Sequence, residues 1–198
     1  MTFRIEEKIP LSYFEAETFI ENLKPQGCSE LYPMRRISSD YLDNDKYDLY
    51  RDSEEGLLPR KKIRIRHYPD NLSSKFTLET KISSTEGRYK TSEFLPTEKS
   101  KLIKLEGYFD RNYGPLKVKV NVSYEREYFL YQGIRITRDT NINYQDISHS
   151  SNRHFDNSSV IEIKAPEDTS LDFLLYVIPE NRRRFSKYCN AIRYLNLI

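Results

Sequence analysis

Apolar and polar residues alternate with a period of two along most of the chain, the pattern of strands with one buried face. "FRIEEKI" opens the chain in this way. "KKIRIRHY", "KFTLETKIS" and "GRYKTSEF" follow as three strand-like runs separated by turn residues, and "LKVKVNVSYEREYFLY", "GIRITRDTNIN" and "SVIEIKAP" complete the set. The period lengthens in "LSYFEAETFIENL", where Phe14, Phe19, Ile20 and Leu23 lie at roughly helical spacing and Ser12 with Glu15 forms a capping box. "KPQG" ends that helix. "PTEKSKLIKLEGYF" predicts a second helix, and "LDFLLYVIPENRRRFSKYCNAIRYLNLI" a helical C-terminal region broken near Pro179. "RISSDYLDNDKYDLYRD" reads as a strand entering an Asp/Asn-rich turn, then a short helix or hairpin. Residues 140–158 are polar and rich in Asn and Ser and predict a loop. No repeat or low-complexity linker interrupts the chain. The expected class is α+β, an antiparallel sheet or barrel with helices packed outside.

Composition narrows the picture. A chain of 198 residues fits a single domain, 1–198, and can bury a core. Charged residues make up 31%, yet the net charge is only +2, so any basic site must arise by segregation of charge. That balance, with no aromatic RNA-binding motif, argues against a nucleic-acid partner. Cys28 and Cys189 have neither zinc-ligand nor disulfide-framework spacing and read as small buried hydrophobes in a reducing compartment. "MTFRIEEKIP" has no apolar signal region, and the longest apolar run, "LDFLLYVIP", is too short to span a bilayer. The expectation is a cytoplasmic protein without a transmembrane segment. His149 and His154 lack acidic or Cys partners at metal-ligand spacing, and His67 reads as a structural residue beside the sheet. Arg182 to Arg184 read as a solvated helix face.

The chemistry lies on the polar faces of the strands. In "RKKIRIRHY", Ile63 and Ile65 share one face while Arg64 and Arg66 share the other. Two such arginines, roughly 7 Å apart, repel by under about 1 kcal/mol in water but by roughly 2–3 kcal/mol at an effective dielectric near 20. Facing a cavity, they call for an anion. The same division recurs elsewhere: Glu6 and Lys8, with Arg4, in "IEEK"; Glu79 and Lys81 opposite Phe76 and Leu78; Glu162 and Lys164 opposite Ile161 and Ile163; Arg135 opposite Ile134 and Ile136. In "KVKVNVSYEREYF", Lys117 and Lys119 oppose Val118, Val120 and Val122, and the valine parity continues into Tyr124 and Arg126. An arginine on a buried face must be paired or must face a polar cavity. A closed barrel with a charged interior satisfies all of these strands at once.

Eight segments, in order, resemble the triphosphate tunnel metalloenzymes, and among them the VTC (vacuolar transporter chaperone) polyphosphate polymerase domain. "RIEEK" is similar to the opening E-x-K strand and "ISSDYLDNDKYDLYRD" to the I-S-S-x-Y-x-D…Y segment. "KKIRIRHY" resembles the R-x-R strand, "LETK" the following E-x-K strand, "SYEREYF" the Y-x-R strand and "RITRD" the R-I-x-x-D that follows it. "VIEIK" and "RRRFSKYCNAI" resemble the closing E-x-K strand and the F-S-K-Y helix. The resemblance implies an antiparallel eight-stranded β-barrel tunnel with helices outside, binding ATP and inorganic polyphosphate with Mn²⁺ or Mg²⁺. Carried over by motif, the phosphate ligands are Lys8, Arg64, Arg66, Lys81, Lys90, Arg126, Arg135, Lys164 and Lys187, assisted by the hydroxyls of Tyr124 and Ser186. Lys8, Arg64, Arg66, Lys81, Arg126 and Arg135 take the catalytic roles. "GRYKTSEF", which supplies Lys90, matches its motif loosely and leaves Arg88 unplaced, and Arg138 has the wrong parity. Arg4 interrupts the E-x-E-x-K pattern of the wider superfamily, which shifts metal holding toward Glu162, with Glu6 beside it. No counterpart of the membrane segment attached to the eukaryotic domain is expected in this chain, which leaves room for a membrane-protein partner in trans.

The expected activity is transfer of the ATP γ-phosphoryl group to a growing polyphosphate chain, a reaction governed by positioning and charge neutralisation. A tri- or polyphosphatase or nucleoside triphosphatase of the same fold needs in addition a carboxylate to activate water, a role open to Glu6 or Glu79. A non-catalytic polyphosphate-binding module is the third alternative. Metal identity, chain-length preference and oligomeric state are not encoded legibly.

Overall fold

The computed structural model describes residues 4–71, 75–178 and 185–198. The strands are β1 (Arg4–Ser12), β2 (Ser29–Asp43), β3 (Arg60–His67), β4 (Phe76–Ser84), β5 (Gly87–Leu95), β6 (Tyr108–Asp110), β7 (Gly114–Tyr131), β8 (Ile134–Asp146), β9 (Arg153–Asp156) and β10 (Ser158–Pro166). The helices are α1 (Tyr13–Leu23), α2 (Asp48–Glu55), α3 (Thr97–Glu106), α4 (Leu171–Val177) and α5 (Lys187–Tyr194). Eight strands follow one hydrogen-bonded path, β1-β10-β8-β7-β2-β3-β4-β5, with β6 beside β7 and β9 beside β8. The chain divides into two compact units. The predicted Arg182–Arg184 face and the break at Pro179 lie outside the described residues, as does the Arg4 side chain.

The first unit comprises residues 1–35, 124–142 and 156–185. Here β1 pairs antiparallel with β10, and β10 with β8. One face of these strands presents Ile9, Ile161, Ile163, Ala165, Ile134 and Ile136 to a core closed by α1 and α4. The capping box of α1 forms as the sequence predicts: Glu15 N donates to Ser12 Oγ at 3.2 Å, and Ser12 N donates to Glu15 Oε2 at 2.8 Å. Its buried stripe is Ala16, Ile20 and Leu23, with Phe19 partly covered. Phe14, expected on that stripe, is 77% exposed because it falls two residues before Ala16, across the helix axis. Arg138, excluded by parity, packs on the helix side of β8, where Nη1 reaches Glu17 and Nε reaches Glu127 at 2.5 Å.

The second unit comprises residues 36–123, 143–155 and 186–198. Here β2, β3, β4 and β5 pair antiparallel in sequence order. Their apolar face (Leu42, Ile63, Ile65 and Leu78) joins Leu49, Leu95, Ile103 and Leu116 in a second core. The predicted second helix stops earlier than its pattern suggests. Gly107 ends α3 at φ 102°, and a Cβ there would meet the Leu116 carbonyl oxygen at 2.6 Å, so Tyr108 and Phe109 enter β6.

The expected loop at 140–158 is corrected. Strand β8 continues to Asp146 and β9 occupies Arg153–Asp156. Ile142 and Tyr144 are fully buried, alternating with polar neighbours, so a strand period persists beneath the Asn-rich composition. Both cysteines are buried free thiols, as expected. Among the described residues, no helix is long and apolar enough to cross a membrane.

Candidate functional site

In the second unit, register places the cations in rows. Lys62 stands opposite Lys81, and Lys81 opposite Lys90; in the next row, Arg64 stands opposite Glu79. Like charges facing each other across strands destabilise a sheet unless a counter-charge is present. Glu79 supplies part of it. Its Oε2 accepts from Arg64 Nε at 2.8 Å and Nη2 at 2.6 Å, and its Oε1 accepts from Lys90 at 2.5 Å, with Arg66 Nη1 at 3.6 Å. One carboxylate thus serves three cations, and Lys62 and Lys81 add two more on the same face.

The face is largely hidden: the side chains of Arg64 and Arg66 are 11% and 13% exposed. The repulsion between them therefore belongs to the low-dielectric case. Burial pushes the Glu79 carboxyl up, but Arg64, Arg66 and Lys90 outweigh it and bring it down to about 2. A carboxylate depressed in the folded state stabilises the fold above its unfolded value, and that contribution is lost as pH falls through the folded value. Stability supplied by Glu79 is therefore full above pH ~4.5 and disappears toward pH ~2, an effect of about 3 kcal/mol. Acid unfolding of Glu79→Gln is expected to show a correspondingly weaker pH dependence across that window; an unchanged profile contradicts the ion cluster.

At the C-terminal helix, Ser186 caps α5 by accepting from Cys189 N, and Lys62 Nζ donates to the same hydroxyl at 2.7 Å. Lys187 is the first residue of α5 and is half-buried. Lys90 remains 45% exposed on β5, the outermost strand of its row, and Arg88 is exposed on the same strand.

In the first unit, Lys8 stands opposite Glu162, Glu6 opposite Lys164, and Lys164 opposite Arg135. Arg126 is the hub. Its Nε and Nη2 donate to Asp139 Oδ1 and Oδ2 at 2.5 and 2.7 Å, and its Nη2 lies 3.1 Å from Glu162 Oε2. The parity expectation thus holds, and the buried arginine is paired. Burial disfavours the Arg126 charge, but Asp139, Tyr124 and Glu162 raise its pKa well above the ordinary value. Glu162 is 3% exposed, and against the cost of burial Arg126, Lys8 and Lys164 hold it ionised well below the usual carboxylate range. Tyr124 is buried, and the Arg126 guanidinium lies 5.3 Å from its ring centre. Arg135 Nε and Thr137 Oγ1 are buried without hydrogen-bond partners among the described residues.

Each unit therefore gathers its own share of the expected residues: Arg64, Arg66, Lys81, Lys90, Ser186 and Lys187 in one, and Glu6, Lys8, Tyr124, Arg126, Arg135, Glu162 and Lys164 in the other. Sequence reasoning left out Lys62, Tyr41 and Asp139. Lys62 shares the parity of Arg64 and Arg66, and Asp139 that of Arg135, so the signal was available. Tyr41 could be found only from the β2–β3 register.

A divalent cation suits the first unit's carboxylates. Glu6 and Glu162 lie close enough for a direct interaction between the two groups. Among the described residues, Lys164 Nζ and Lys8 Nζ lie 3.4 and 3.8 Å from Glu162 Oε1. Among the described residues, Glu6 Oε1 is buried without a hydrogen-bond partner, and Lys8 Nζ forms an ion pair with it at 2.9 Å. Mg²⁺ commonly binds through one or two carboxylates together with substrate phosphates and water, so this donor pair fits. Among the described residues, no group of three acidic, His or Cys side chains forms a metal cage. His149 Nδ1 lies 3.1 Å from Asp146, while His154 stacks on Tyr194 with ring centres 4.4 Å apart.

The fold is that of the triphosphate tunnel proteins, an α+β architecture built on an antiparallel sheet with helices packed against it. A candidate adenylate cyclase from Bacillus halodurans superimposes with a TM-score of 0.60 at 16% identity, covering 100% of this chain and 91% of that one. A candidate adenylyl cyclase from Hippeastrum, described as having a dominant triphosphatase activity, gives 0.58 at 15% identity over 96% of each chain. A Pyrococcus horikoshii protein gives 0.58 at 16% identity, covering 96% of this chain and 99% of that one. No curated protein sequence matches. The model of the VTC domain family matches residues 2–196, and the chain belongs to that family.

Proposed function

We propose that this chain is a metal-dependent polyphosphate polymerase that transfers the ATP γ-phosphoryl group to the end of an inorganic polyphosphate chain, acting as a single 1–198 domain. The observation that carries this reading is the face formed by Lys62, Arg64, Arg66, Lys81 and Lys90, on which three cations meet the carboxylate of Glu79 and two lysines stand in the adjacent row. A phosphate chain carries negative charge along its whole length and matches such a row of cations. Arginine offers it a bidentate fork and lysine a point charge. Membership of the VTC family agrees with this substrate class.

In this reading a terminal oxygen of polyphosphate attacks the γ-phosphorus, the bond to the β,γ-bridging oxygen breaks, and ADP leaves. The nucleophile is already anionic and needs no strong base. In the second unit Arg64, Arg66, Lys81 and Lys90 hold phosphate; in the first unit Lys8, Arg126, Arg135 and Lys164 provide positive charge, with the Tyr124 hydroxyl assisting. Ser186 and Lys187 bind phosphate at the start of α5. Glu162, with Glu6, would hold Mn²⁺ or Mg²⁺, which when bound neutralises charge on the leaving diphosphate. A hydrolase is the second reading, favoured by the triphosphatase activity ascribed to the Hippeastrum protein. Glu79 is poorly suited as its base, because three cations keep it ionised and occupied; Glu6 is the other carboxylate open to that role.

Incubating pure protein with ATP and Mn²⁺ and resolving the products separates these readings. Long polyphosphate with ADP is the expected result. Orthophosphate with ADP and no polyphosphate assigns the chain to the hydrolases, and tight triphosphate binding without turnover makes it a binding module.

A further inference from the structure

Arg64 is gripped from two sides. Nε and Nη2 donate to Glu79, while Nη1 donates to the Tyr41 hydroxyl at 2.8 Å. Tyr41 is buried and stands directly opposite Arg64 in the β2–β3 register. Its ring stacks on Tyr188, with centres 5.1 Å apart and planes 15° from parallel. The Tyr188 hydroxyl in turn donates to Asp43 Oδ2.

Asp43 is fully buried and otherwise accepts only backbone amides: Asn44 N at 2.8 Å, and Leu49 N and Tyr50 N at 3.0 Å each, the latter two in the first turn of α2. Four donors fill the lone-pair positions of one carboxylate, so Asp43 is an anchor rather than a base or a metal ligand. Tyr188 is the second residue of α5, two positions beyond the Ser186 that meets Lys62. The chain of contacts Asp43–Tyr188–Tyr41–Arg64 thus ties α2, α5, β2 and β3 to one cationic group.

We propose that Tyr41 and Tyr188 are positioning residues that fix the guanidinium plane of Arg64, and with it the start of α5, for a phosphate chain. The inference rests on the functional reading above, and adds to it that the orientation of the phosphate-binding arginine is set by two stacked phenols. An arginine held before binding loses less side-chain freedom when the phosphate arrives. Tyr41 acts through its hydroxyl, and Tyr188 through its ring and its bond to Asp43.

The test is a double-mutant cycle on tripolyphosphate affinity, measured by isothermal titration calorimetry with wild type, Tyr41→Phe, Arg64→Lys and the double variant. Tyr41→Phe keeps the stacked ring and removes only the acceptor, and is expected to weaken binding about tenfold. In the Arg64→Lys background the same change is expected to cost less than about twofold, because the group it orients is gone. Tyr188→Phe, which retains the stack, is expected to weaken binding in the same direction. An equal loss from Tyr41→Phe in both backgrounds, or no loss in the native one, overturns the proposal while leaving the functional reading standing. Wild-type protein that fails to bind tripolyphosphate overturns both.

Discussion

Replacing Arg126 by Ala is expected to lower the stability of the protein by about 3–5 kcal/mol, the usual result of removing one partner from a buried ion cluster. The geometry argues for the full effect. Arg126 is 13% exposed, Asp139 1% and Glu162 4% at the side chain. Both oxygens of Asp139 accept from this one guanidinium. Without it, two carboxylates remain buried on one face, and Lys8 and Lys164 reach Glu162 only at longer range. For a chain of this size the unfolding midpoint should fall by roughly 6–20 °C. Arg126→Lys should recover part of the loss by restoring the charge without the bidentate fork. Thermal unfolding in phosphate-free buffer measures both variants. A loss below about 1 kcal/mol would mean that the cluster is screened as a surface pair is.

The largest effect on activity is expected from Arg64→Ala, a fall in kcat/KM for ATP on the order of 10²–10³, as for removal of one charge-stabilising donor from a preorganised site. Here the fold should survive, because Glu79 keeps Lys90 at 2.5 Å and Arg66 at 3.6 Å. The isoleucines of β3 are untouched, and they carry its packing. Lys99→Ala serves as a control, since Lys99 is 52% exposed and pairs with Glu93, itself 60% exposed. Steady-state kinetics should show it unchanged. If Arg64→Ala retains near-native kcat/KM, the cationic face of β3 is not where phosphate is handled.

Much of this was legible in the chain because strand parity is a strict code. Ile63 and Ile65 against Arg64 and Arg66, or Ile161 and Ile163 against Glu162 and Lys164, leave one arrangement once a face must be buried. The same code put Arg126 on a buried face and Arg138 on the opposite side of its strand, and both are found so. The order of the motifs gave the family. What failed was local. Asn-rich composition hid the continuation of β8 through Ile142 and Tyr144, because composition reports average polarity while burial follows alternation. Phe14 lies only roughly at helical spacing with Ile20 and Leu23, and the smaller Ala16 holds the buried position. Within the site, parity gave faces but not partners. That Glu79 serves three cations, or that Tyr41 meets Arg64, depends on register across strands, which one sequence read alone does not fix.

The central claim is that the buried cationic faces exist to hold a phosphate chain. A crystal structure of the protein grown with tripolyphosphate and Mn²⁺ tests it most directly. Phosphate oxygens within hydrogen-bond distance of Arg64, Arg66 and Lys81, with Mn²⁺ on Glu162, are the predicted result. Tripolyphosphate seated away from these side chains would contradict it.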